Sequence, residues 1–385
     1  MATVVGSRAL TLRRAIIIAG IFEFLGAFLV GSHVTDTVRK GIIDPLFFAP
    51  HPELLAYGMF SALLAAALFQ HTATFFGYPI STTHAIVGAL FGFGLIGAGA
   101  GAVNWFKIGI ISLGWIVSPL LGAVFSFTIF NIIRRLILAK EHPYQATITY
   151  TPFFVFLQFT IIVLSVIFKG LKNLRLDLPF ALALPIALAV GSLGACITWI
   201  MIKRGASVAD QKEQYLKVEK IFGHMQIYTA CYIAFAHGAN DVANAIGPVA
   251  AIFSILRTKT IIMQINVPPW ILVMGGVGIV AGLSTYGYKV IETIGKKITE
   301  ITPTRGFSAE FAAATTVLVF SKLGLPISTT HTMVGSVIGI GFARGIATLN
   351  LRIIRNIVTS WFITVPSAAI ITVIIYKITI ELSSF

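Results

Sequence analysis

The chain has 385 residues, 57% of them hydrophobic and only 11% charged, with a mean hydropathy of +0.91. A soluble domain carries about 25% charged residues, so this chain cannot cover itself with a water-compatible surface and is read as a polytopic membrane protein. Its net charge of +14, from 28 Lys and Arg against 14 Asp and Glu, belongs to short loops and reflects orientation. No soluble basic face is visible, which excludes a nucleic-acid-binding module.

Apolar segments long enough for a hydrocarbon core of ~30 Å fall near residues 14–38, 54–76, 105–133, 150–168, 179–202, 221–250, 268–290 and 352–379. Arg8, Arg13 and Arg14 precede the first, but Glu23 interrupts it and no cleavage-type site follows, so it is not read as a removable signal. The hexapeptide PISTTH closes the second segment at Pro79–His84 and returns at Pro326–His331, 247 positions later. The apolar stretches behind the two copies, near 84–98 and 331–343, are too short to span and begin at a Pro with a Ser/Thr cluster. They are expected to be re-entrant hairpins, tolerated at depth only when buried in protein or lining a cavity. Internal repeats with interrupted helices are the architecture of secondary transporters.

Loops 134–149 and 203–220 carry Arg134, Arg135, Lys140, Lys203, Arg204, Lys212, Lys217 and Lys220, against Lys169, Lys172 and Arg175 in the loop between them. This bias places the first two on the cytoplasmic side. The stretch 203–220 is the only extended polar one and is expected to be a solvated helix joining two halves. Cys196 and Cys231 lie in apolar segments without CxxC spacing and are expected in the core, with no disulfide framework.

The repeat extends beyond the hexapeptide. Val34–Ile42 (VTDTVRKGI) matches Val290–Ile298 (VIETIGKKI), pairing Asp36 with Glu292, Thr37 with Thr293 and Lys40 with Lys296. Asp36 and Glu292, near Arg39, Lys40, Lys296 and Lys297, suit interfacial or gating charges better than substrate ligands. Residues 237–248 read HGANDVANAIGP. Asn240 and Asn244 share a helical face and Asp241 lies beside Asn240. Gly238, Gly247 and Pro248 are expected to unwind the helix locally and free carbonyl oxygens. Carboxylate, amide and carbonyl oxygens are hard ligands for an alkali cation, and an acid within the membrane marks function by default.

GANDVANA together with two PISTTH elements resembles the inorganic phosphate transporter (Pit) family of cation-coupled symporters, as do Phe22–Glu23, Val34–Pro45 and Gly306–Phe311 (GFSAEF). The resemblance covers essentially the whole chain. It implies an inverted-repeat transporter moving phosphate with Na⁺ or H⁺, and a need for acids in the contexts of Glu23 and Glu310. The departure is at the beginning. Members carry a GANDVAN-like motif in each half, whereas aligning MATVVGS with IGPVAAI sets Met1 opposite Ile246, so a first copy would lie upstream of Met1. Either the start lies further upstream and Met1 is internal, or the chain lacks half of its cation site.

The expected fold is therefore an all-α polytopic membrane protein with two homologous repeats, inverted by the family resemblance, and two re-entrant helical hairpins. Residues 1–133 form the first repeat with its hairpin near 77–98; 134–220 form connecting helices and a cytoplasmic linker; 221–385 form the second repeat with its hairpin near 324–343. Phosphate is expected on Ser81, Thr82, Thr83, Ser328, Thr329 and Thr330, since hydroxyls and half-helix N–H groups suit a tetrahedral anion. Asn240, Asp241 and Asn244 are expected to hold the cation. Glu23, Glu310, His84 and His331 are candidates for coupling, although a packed or capping role competes for the two histidines. Gln70 is a weaker lining candidate.

The expected activity is phosphate symport with Na⁺ or H⁺ by alternating access in a multi-pass cell-membrane protein, with no cofactor, no metal beyond Na⁺ and no nucleic-acid partner. Beyond phosphate and the lipid bilayer, a homodimer is compatible, but no helix face announces an interface. The alternatives are a sulfate or other tetrahedral-oxyanion symporter and a passive anion channel. An intramembrane hydrolase using Ser81 or Ser328 with His84 or His331 is disfavoured, because the cluster occurs twice and no strained GxSxG elbow is present.

Overall fold

The computed structural model describes residues 1–31, 41–170, 178–203, 210–262, 267–322 and 327–383. Among these the fold is all-helical. Its α-helices are Ala2–Gly6 (α1), Leu12–Val30 (α2), Pro52–Phe75 (α3), Thr82–Ala98 (α4), Trp105–Ile133 (α5), Pro143–Ser165 (α6), Phe180–Lys203 (α7), Gln211–Thr258 (α8), Pro269–Thr285 (α9), Gly287–Glu292 (α10), Pro303–Lys322 (α11), Thr329–Arg344 (α12) and Leu351–Ser383 (α13). Among the described residues six of them, α3, α5, α6, α7, α8 and α13, are long and apolar enough to cross a membrane; α9 and the following Gly287–Lys297, bent by 63° at the break between them, pass the same test only as a pair, a broken span or a re-entrant loop. The chain is a multi-pass membrane protein.

Helices α4 and α12 have 17 and 16 residues. At 1.5 Å per residue each reaches only ~25 Å, short of the ~30 Å core. Ser81 and Ser328 cap them in extended backbone, their hydroxyls accepting from the amides of His84 and His331 at 3.3 and 3.2 Å. Gly99 and Gly345 end them at φ +81° and +107°, where L side chains are strained. A hydrogen bond from the amide of Asn104 to the carbonyl of Ile42 recurs as Asn350 to Ile298, both at 2.9 Å. Pro326, Asp36, Thr37, Arg39 and Lys40 lie outside the described residues.

The chain divides into two compact units. Unit 1 comprises Met1–Ala19, Val117–Ala234 and Ile294–Asn350; unit 2 comprises Gly20–Ile116, Phe235–Thr293 and Leu351–Phe385. In unit 2, α4 packs on α13 through Gly88 and Gly92. A Cβ on them would stand 2.5 Å from the carbonyl oxygens of Val365 and Ala369 respectively. In unit 1 the equivalent Gly335 and Gly339 of α12 meet Pro119 and Ala123 of α5, with carbonyl oxygens 2.2 Å from an added Cβ. Small residues at this spacing let helix backbones approach closely in lipid, where van der Waals contact replaces the hydrophobic drive. Phe93 fills the unit 2 core between Phe48 and Tyr376, each 5.0 Å away by ring centroid. Phe154, Phe222, Phe307 and Phe311 do so in unit 1.

Two expectations are corrected. The HGANDVANAIGP segment is not unwound: it lies inside the continuous α8. Gly238 serves contact instead, since a Cβ there would be 2.1 Å from the carbonyl oxygen of Glu23 on α2. Pro248, within the same helix, still has no N–H to give to the Asn244 carbonyl. Cys196 is exposed and Cys231 half-buried; in an apolar helix, a lipid-facing side and a core side read alike. The polar stretch after residue 210 does open α8, with Gln211, Lys212 and Glu213 exposed.

Candidate functional site

Within unit 2, the first PISTTH motif and the GANDVAN motif come together although 159 residues separate Thr82 from Asp241. Gly77, at φ +75°, turns the chain after α3, and Trp361 donates its indole N–H to the Pro79 carbonyl at 3.1 Å. These fix the start of α4, where Thr82 and Thr83 occupy the first turn. An α-helix leaves its first amides without intrahelical partners.

Opposite stands one face of α8. Thr82 Oγ1 donates to Asp241 Oδ2 at 2.5 Å, the short end of the range for a hydroxyl on a carboxylate. Asn244 Nδ2 donates to Thr82 Oγ1 at 3.3 Å and Thr83 Oγ1 at 3.2 Å. Asn240 Nδ2 donates to Asp241 Oδ1 at 3.0 Å. Asp241 and Asn244 are 8% and 7% exposed, so these bonds carry the desolvation cost of a carboxylate and an amide inside the membrane.

One residue escaped the sequence reading. His237 lies one turn before Asp241 and places Nε2 3.0 Å from Asp241 Oδ2 and Nδ1 3.3 Å from Glu23 Oε1. Glu23, on α2, thus reaches Asp241 through an imidazole. The i, i+4 spacing of His237 and Asp241 was readable; the approach of Glu23 was not, because it depends on α2 crossing α8 at Gly26 and Gly238.

The remaining candidates are placed as follows. Ser81 and Ser328 are buried caps, 2% and 1% exposed. His84 is buried against Trp115, with ring centroids 3.7 Å apart, and His331 is likewise buried. Gln70 is half-buried on α3. In unit 1, Thr329 and Thr330 occupy the first turn of α12 and are half-buried. Glu310 on α11 is fully buried and accepts from the Thr3 hydroxyl. Glu219 of α8 caps α11, taking the Thr304 amide at 2.8 Å and its hydroxyl at 2.9 Å, which seats the helix bearing Glu310. Among the described residues no cluster of three His, Cys, Asp or Glu side chains is built for a metal. The unit 2 oxygens are instead one carboxylate, amides and hydroxyls, hard donors rather than the imidazole and thiolate ligands of a transition-metal site.

Residues 1–372 match the phosphate transporter family. A Pyrococcus abyssi protein named a phosphate permease is 47% identical over 380 residues, covering 98% of this chain and 92% of its own length. The chloroplastic inorganic phosphate transporter 2-1 of Arabidopsis thaliana is 44% identical over 412 residues, covering all of this chain and 69% of its own. A solved structure, the sodium-dependent phosphate transporter, superposes with a TM-score of 0.88 at 42% identity, over 99% of this chain and 93% of that one. With both motifs assembled in one unit and these likenesses running the length of the chain, the protein belongs to the phosphate transporter family.

Proposed function

We propose that the chain carries inorganic phosphate together with Na⁺, in symport by alternating access, with Thr82 and Thr83, and by repetition Thr329 and Thr330, as anion donors. Ser81 and Ser328 support these turns as caps. Asn240, Asp241 and Asn244 serve the cation. The observation that carries this reading is the 2.5 Å bond from Thr82 to Asp241: a residue of the anion motif donates a hydrogen bond to a residue of the cation motif. The likeness to a structure named sodium-dependent supports Na⁺ as the coupling ion.

The chemistry is economical. Phosphate offers acceptor oxygens only, apart from any proton it carries, so it needs N–H and O–H donors. Hydroxyls and first-turn amides supply these without a fixed Lys or Arg that would retain the anion. Dipole contributions of ~0.3–2 kcal/mol at a helix N-terminus are modest, and a carboxylate at Asp241 opposes an anion nearby. A co-bound Na⁺ offsets that opposition and leaves with its partner. Glu23 and Glu310 are the proposed coupling acids, joined by His84 and His331, the third residues of the two half-helices.

The test is ³²P-phosphate uptake into proteoliposomes, with Na⁺ and pH gradients imposed separately. A Na⁺ gradient should concentrate phosphate and a pH gradient alone should not. Uptake driven by the pH gradient alone would transfer coupling to H⁺, and equilibration without concentration would make the protein a channel.

A further inference from the structure

We propose that the neighbouring threonines divide the work: Thr82 reports the cation to the anion, while Thr83 serves the anion alone. This rests on the symport reading above. A threonine hydroxyl has one proton and two lone pairs. The Thr82 proton goes to Asp241 Oδ2, and one lone pair accepts from Asn244 Nδ2. Thr82 therefore turns only lone-pair density toward an incoming phosphate oxygen, itself an acceptor. Thr83 Oγ1 also accepts from Asn244 but donates to no described residue, so its proton is available to an anion.

Asp241 explains why Thr82 is held this way. Its Oδ1 receives Asn240, and its Oδ2 lies within 3.0 Å of both Thr82 and His237. A monovalent cation bound at Oδ2 takes over the charge that the Thr82 proton now satisfies. The Thr82 oxygen, 2.5 Å from Oδ2, is close enough to ligate the same ion by a lone pair. Its O–H then turns about the Cβ–Oγ1 bond toward the anion. No bond to carbon or oxygen breaks; one hydroxyl proton changes acceptor. The consequence is an order, cation before anion. Reciprocity then requires phosphate to raise cation affinity by the factor by which the cation raises phosphate affinity.

The experiment compares full-length wild type, T82V, T82S and T83V in proteoliposomes, reading the KM for phosphate at low and high Na⁺ with choline holding ionic strength. Wild type and T82S should show a KM that falls as Na⁺ rises. T83V should raise KM about tenfold, as for loss of one hydrogen bond to a charged group, with the Na⁺ dependence unchanged. T82V should lose most of the Na⁺ dependence, keeping only the part that comes from Na⁺ offsetting the Asp241 charge. Thermal unfolding of the purified proteins in detergent gives a second readout, because a ligand that binds only the folded state raises Tm. Na⁺ alone should still stabilise T82V, but the extra stabilisation that Na⁺ lends to phosphate should be much smaller than in wild type. A T82V that keeps the wild-type Na⁺ dependence, or a T83V that loses it, overturns the division of labour. A wild type whose KM and Tm ignore Na⁺ overturns the symport reading itself, and this proposal with it.

Discussion

His237 stands between two acids that belong to different helices, and its ring reaches both. On the proposed cation role of Asp241, His237→Ala should raise the Na⁺ concentration for half-maximal uptake ~10–100-fold, the range for losing an outer-shell partner. Uptake at saturating Na⁺ should suffer less; a Na⁺ titration checks this, and an unchanged half-saturation would remove His237 from the site. The sequence made Thr82, Asn240, Asp241 and Asn244 conspicuous because polar residues in apolar runs need partners. It could not show that Thr82 and Thr83 differ, since their hydroxyls are equivalent until a particular carboxylate approaches one of them. Gly238 and Pro248 read as helix breakers from composition alone. The packing of Gly238 on Glu23 reverses that reading for the glycine.

At the scale of elements, the half-helices are held by glycine contacts that leave no room. Gly335→Ala would put a Cβ 2.2 Å from the Pro119 carbonyl oxygen, and overpacking of this kind costs ~1–3 kcal/mol. Gly282→Ala in α9 meets nothing within 4 Å and should gain up to ~1 kcal/mol of helix propensity. Thermal unfolding in detergent should therefore move in opposite directions for the two variants. A second element-level contact ties the loop before α11 to the end of α12, where Glu300 Oε2 lies 3.0 Å from Arg344 and 3.1 Å from Arg305. The Arg305 hydrogen bond, then the Arg305 and Arg344 charges, hold the Glu300 carboxyl below the usual carboxylate range. With the folded value depressed, this pairing stabilises above the ordinary glutamate value of about 4.3 and is lost as pH falls through the lower folded value. The group is exposed, so the effect is small. Glu300→Gln should flatten the acid side of the Tm–pH curve without altering Tm near neutrality by more than a degree or so.

For the whole molecule, the repeat says which segments are alike but not which ones pack. The capping serines Ser81 and Ser328 and the terminating Gly99 and Gly345 recur in the two half-helices. Their partners are exchanged: α4, from the first copy, packs on α13 from the second, and α12 packs on α5. Each unit thus draws on both copies, an arrangement invisible to hydropathy because lipid-facing and protein-facing residues in these helices are equally apolar. Fragments cut within 204–209 should consequently be unstable when produced alone. Co-expressed, they should recover Na⁺-driven phosphate uptake, measured against the intact chain. Independent stability of the first fragment would contradict the exchange.

That exchange bears on how the chain is made. When α4 leaves the ribosome, the helix that receives Gly88 and Gly92 does not yet exist; Val365 and Ala369 are synthesised almost last. Thr82 likewise waits 159 residues for its carboxylate. During that interval the nascent half-helix presents the Thr82 and Thr83 hydroxyls and bare glycine ridges to lipid or to the insertion machinery, so late truncations that remove Val365 and Ala369 should be cleared by quality control.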